Sequence, residues 1–150
     1  MSSLYVRTQI KDYIGDNAPA ETLIDLTSAF QEIKELVEDN GITSNDPWLG
    51  IEFVGDDEVP ITIPATNDTG KYRESGVVFI HVVGTAKLGA GDALLQRGET
   101  LRNLFRGKRI GEIIVESVTP MNFNAGSTLQ FEGGYMSGSF LISYQRDLEL

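Results

Sequence analysis

The stretch "KYRESGVVFIHVVGT" at 71–85 limits the chain's choices more than any other. From Val77 to Val83 it is apolar except at His81, and β-branched residues dominate it. A run this short falls far below the ~18 residues needed to cross a bilayer. It is also too continuous for a strand with one wet face, so it predicts a central strand covered on both faces. The rest of the chain must supply its neighbours and both covers.

Those pieces are recognisable by their periods. "SSLYVRTQIKDYIG" puts Val6, Ile10, Tyr13 and Ile14 on one helical stripe, with Ser2 or Ser3 as cap and Gly15 as stop. A second helix is predicted at 28–39, where Ser28 and Gln31 form a capping box, Phe30, Ile33 and Val37 form the stripe, and Asn40-Gly41 ends it. Between them "TLIDL" reads as a strand or an extended linker. "WLGIEFV" has strand character, and the acidic "GDDE" separates it from "VPITIP", whose prolines suit an edge, so a hairpin with a charged tip is expected. "DALLQRGETLRNLFR" places Leu94, Gly98, Leu101 and Phe105 on one stripe widened by Leu104, which predicts a helix over 92–106 capped by Asp92. "IGEIIVESV" returns to β structure, and "TLQFEGGYMSGSFLISYQRDL" predicts two long antiparallel strands with bulges or close approaches at Gly133, Gly134 and Gly138. The order indicates one α+β domain over 1–150. A helical part at 1–45 precedes an antiparallel, at most mixed, sheet at 48–150 with the 92–106 helix packed across it.

The chemistry available is narrow. With no cysteine and a single histidine, the chain has no disulfide, no thiolate ligand and no pair of imidazoles for zinc. His81, set among Val, Phe and Ile, reads as a satisfied core or edge residue rather than a catalyst. "GTAKLGAG" has the first glycine spacing of a phosphate loop, but Ala90 and Gly91 stand where the lysine and hydroxyl belong. Asp92 would also occupy the amide-rich helix start with its own carboxylate. The glycines at 84, 89 and 91 are therefore read as a corner. The adjacent carboxylates of "GDDE" splay into solvent instead of converging on a substrate or metal. No catalytic residue, cofactor or metal is expected, and no apolar segment is long enough for a leader or membrane anchor.

Charge points to contacts between chains. Carboxylates outnumber cations 22 to 12, a net charge of −10 that repels nucleic acid and anionic membrane. The cations cluster as Arg97, Arg102, Arg106, Lys108 and Arg109, while Asp56, Asp57 and Glu58 make an acidic block. Two readings stand: a solvated helix face with cations at its C-terminal end, or an electrostatic contact with an acidic surface of another chain.

From Trp48 to the C-terminus the chain resembles the tail terminators, the tail-completion proteins of long-tailed phages. The lines that carry the likeness are "PWLGIEFV", "YRESGVVFIHVVGTAKLGAGDALLQRGETLRNLFRGKRIGEIIV" and "GSFLISYQRDL". The resemblance implies a non-catalytic virion protein, made in the host cytoplasm and placed at the head-proximal end of the tail. There six copies form a ring that ends tube polymerisation and docks the head-side connector, with DNA passing through unbound. An acidic lumen would let it slide. The alternatives are another neck or head-completion component, or a small α+β ligand-binding domain or enzyme. A ring of identical subunits needs a head-to-tail interface joining two different patches. The basic run and the acidic block are the candidates. Phe123, Phe131, Tyr135 and Met136, in a glycine-rich setting, are either a partner-contacting arm or part of an ordinary twisted hairpin.

Overall fold

The computed structural model describes residues 3–27, 35, 38–39, 41–42, 46–60, 71–85, 90–122 and 135–149. The elements are α1 (Leu4–Asn17), β1 (Leu23–Asp25), β2 (Trp48–Pro60), β3 (Lys71–Thr85), α2 (Ala90–Phe105), β4 (Arg109–Ile110), β5 (Ile113–Val118) and β6 (Tyr135–Glu149). They build an α+β fold on one six-stranded sheet in the order β1-β2-β3-β6-β5-β4. β1 runs parallel to β2 and every other pair is antiparallel, so the sheet is mixed. No helix among the described residues is long and apolar enough to cross a membrane.

The apolar run occupies the middle of the sheet. β3 pairs with β2 from Val83↔Trp48 to Tyr72↔Pro60, and with β6 along its full length. The period of two then divides its side chains. Val78, Ile80 and Val82 face a core shared with Leu49, Ile51 and Phe53 of β2, Phe140, Ile142 and Tyr144 of β6, and Ile113 and Val115 of β5. Both helices cover that face, α1 with Val6, Ile10 and Ile14, α2 with Leu94, Leu101 and Phe105. The rings of Tyr13 and Phe105 meet edge to face at 5.4 Å where the helices meet. On the opposite face His81 and Val83 are buried with Trp48, and Leu26 crowds Gly50. A β-carbon on Gly50 would lie 2.7 Å from Leu26 Cδ1 and 3.2 Å from the Trp48 ring, so glycine lets these side chains pack close to the strand. Further down, Val77 and Phe79 on this second face are only half-buried.

Polar contacts fix how α1 sits. Ser3 caps it by accepting from the Val6 amide, and the Ser3 amide and hydroxyl both donate to Glu74, at 3.0 Å each. Arg7 and Lys11 both hold Asp25 of β1. Burial pushes the Asp25 carboxyl up, but the Thr27 amide and these two cations outweigh it and hold it below the usual range.

Several local expectations are corrected. The acidic block is not a hairpin tip. β2 continues through it, absorbing Gly55 as a bulge between Val54 and Asp56, because the ladder to β3 carries on to Pro60. "TLIDL", read as a strand or an extended linker, takes the first of those forms as β1. α1 runs past Gly15 to Asn17, with Ala18 as its C-cap, because the cap amide still finds the Ile14 carbonyl. α2 begins at Ala90, which puts Asp92 in its first turn; its carboxylate there still complements the dipole. "IGEIIVESV" divides into β4 and β5 around Gly111, whose φ of 59° suits a two-residue turn. In the C-terminal region one long strand, β6, is described, and Gly138 pairs regularly with Val82 without a bulge. Gly133, Gly134 and most of the 28–39 helix lie outside the described residues.

Phe105 lies fully buried between both helices and the sheet. Phe105→Ala is expected to lower unfolding free energy by about 3–5 kcal/mol, measured as the shift in urea midpoint at unchanged slope.

Candidate assembly surface

The basic cluster divides once the fold is formed. Arg97 turns inward: it grips Glu21 through both terminal oxygens, at 3.0 and 2.7 Å, and donates to the Val83 carbonyl at 3.0 Å. Arg102 is 5% exposed, donates to the Thr119 carbonyl at 2.6 Å and pairs with Glu99. These two bind α2 to its own chain. Arg106 is exposed and only loosely near Glu99, at 3.8 Å. Lys108 and Arg109 follow the helix end and are exposed; Arg109 donates to the Gly111 carbonyl at 3.1 Å. Neither has a carboxylate partner among the described residues.

Lys108 and Arg109 stand at one edge of the sheet, for β4 is its last strand. The acidic block stands at the other. Asp57 and Glu58 of β2 are exposed and likewise without an ion-pair partner among the described residues, while Asp56 is placed by its backbone pairing to Gly76. β1 pairs only with Leu49 to Ile51, so no described strand borders β2 from Val54 to Pro60. The ladders connect the two edges in register. One row of the sheet runs Arg109, Ile114, Gln145, Ser75, Asp57, and the next runs Ile110, Ile113, Arg146, Glu74, Glu58. Directly paired residues share a face, so Arg109 and Asp57 lie on the second face, together with Val54, Val59 and Ile114. These three apolar side chains are 43%, 42% and 36% exposed.

Of the proposed arm, Phe123 and Phe131 lie outside the described residues. Tyr135 begins β6, and Met136 pairs with Gly84 and packs against the main core.

Sequence reasoning missed one buried polar pair of the sheet and, for the buried His81 it had anticipated, the partners. Glu74 and Arg146 are cross-strand partners, with Arg146 stacked 3.8 Å over the Tyr5 ring and donating to Glu112 at 3.1 Å. Charges at Arg73 and Glu74, within the same strand and shortly before the apolar run, were the available signal. The second group surrounds His81, which is 1% exposed. Its Nδ1 lies 2.7 Å from the hydroxyl of its cross-strand partner Ser139, and its Nε2 faces Glu52 at 3.5 Å. Burial lowers the His81 pKa to about 4 and raises that of Glu52. The imidazole is thus neutral at pH 7 and a weak base. Both backbone polar groups of Ser139 are bonded to Asn122, each at 2.8 Å. The His81–Ser139 contact fixes the register of β3 and β6 at this end of the ladder.

Comparison with models of known protein families and with curated protein sequences gives no match.

Two outcomes are expected. Arg102→Glu destabilises the isolated chain by about 1–3 kcal/mol, because the Thr119 carbonyl loses its donor, whereas Arg109→Glu leaves the thermal midpoint unchanged. Calorimetry of both variants checks this. For His81 the folded pKa of about 4 lies below the unfolded value near 6.5. As pH falls through that interval the unfolded state takes up the proton first, and stability is lost by about 3 kcal/mol, then levels off. Urea midpoints between pH 7 and 4 should fall less steeply for His81→Gln than for the parent.

Proposed function

We propose that this chain is a structural protein of a phage virion, the tail terminator: a ring that caps the tail tube, ends its polymerisation and offers a docking surface to the head-side connector. The observation that carries the reading is the pair of sheet edges just described. Opposite charges without ion-pair partners among the described residues stand at opposite edges of one sheet, with Arg109 and Asp57 in the same row. A head-to-tail interface in a ring of identical copies requires two different, complementary patches on each copy. The resemblance from Trp48 onward supplies the biological setting, with six copies per ring and the tube and connector proteins as partners. The acidic balance of 22 to 12 suits a passage through which DNA slides without binding. In this reading the chain performs no catalysis and holds no cofactor; its work is done by surfaces.

Negative-stain images of particles assembled without this chain test the proposal. Over-long, irregular tails are expected. Tails of correct length that fail to join heads would instead assign it to the neck.

A further inference from the structure

We propose that neighbouring copies join by continuing the sheet: the edge of β2 at residues 57–59, which no described strand borders, lies beside the β4 edge of the next copy, with Asp57 opposite Arg109. The inference rests on the ring reading and gives it a specific junction.

The two edges match in length, direction and charge. β1 ends opposite Ile51, the Gly55 bulge interrupts β2 below it, and Pro60 has no N–H to offer. What no described strand borders between bulge and proline is a short segment, and β4 has only two residues. Each step from β2 through β3, β6 and β5 to β4 is antiparallel, so β4 runs in the same direction as β2. A copy placed alongside in the same orientation therefore meets its neighbour in a parallel junction. The shared row brings Arg109 to the level of Asp57, and the next brings Ile110 to the level of Glu58. Strands spaced about 4.8 Å apart bring side chains in one row within ion-pair reach. On the exposed face Arg109 then sits between Ile114 of its own chain and Asp57 of the neighbour.

Charge excludes the symmetric alternatives. Two β2 edges together oppose Asp57 and Glu58 to themselves, and two β4 edges oppose Lys108 and Arg109 to themselves; like charges directly across a ladder destabilise it. The bulge and the proline also prevent an extended partner strand from zipping along β2. Head-to-tail contact is the arrangement that satisfies both edges.

The native chain has no cysteine, so an engineered pair reports the junction cleanly. Asp57→Cys with Arg109→Cys, both at exposed positions, is oxidised at assembly concentration, alone and with tail tubes, and resolved on non-reducing gels. A covalent ladder ending at the copy number of the ring is expected, while each single variant stays monomeric and melts with the parent. Rings seen by electron microscopy without a ladder would overturn this junction but leave the ring reading intact. A dimer from Asp57→Cys alone would overturn it in favour of symmetric pairing. An unsubstituted chain that never associates, even on tubes, would overturn the ring reading itself. In parallel, Asp57→Arg or Arg109→Asp alone should abolish rings, and the two together should restore them.

Discussion

Everything in this structure follows from placing β3 where water cannot reach its backbone. A 15-residue strand has a donor and an acceptor at nearly every position, and burying them without partners costs more than its apolar side chains return. Partners are therefore needed along both sides. That is why β6 is as long as β3 and β2 nearly so, and why β2 continues through an acidic block that by composition suits a turn. The bulge at Gly55 allows this: one residue drops out of the ladder, and pairing resumes on the other side.

The two faces of β3 are covered by different means. Two helices seal one face with apolar contacts, which specify burial but tolerate sliding. The polar pairs along the sheet supply register. Glu74 and Arg146 sit opposite each other across β3 and β6, and Glu74 also receives the first residues of α1. His81 and Ser139 do the same at the other end of the same pair of strands. A slip of one residue would bury unmatched charge at one end and an unmatched imidazole at the other.

The same economy of charge defines the surface. In a chain with so many more carboxylates than cations, a cation finds an internal partner almost anywhere, and Arg97, Arg102 and Arg146 have done so. Lys108 and Arg109 have none among the described residues, because they follow the end of α2 where the chain enters the last strand of the sheet. Asp57 and Glu58 are in the mirrored situation on β2. The complementarity arises from strand order.

Much of this was legible in the chain itself. Continuous hydrophobicity marked the central strand, and a period of 3.6 marked both described helices and their buried stripes, since these patterns are properties of neighbouring residues. The capping serine and the cationic cluster were visible for the same reason. What could not be read locally was which cations face inward. Arg102 and Arg109 are alike as text, but one lies over the Thr119 carbonyl and the other on the outermost strand. Nor did the sequence reveal that Asp57 and Arg109 share a row, for that register passes through three intervening strands. Sequence alone determined the central strand and the two described helices with their buried stripes, because periodicity is local. The tertiary structure decided which charges stay open and where they stand, because pairing between distant strands sets both.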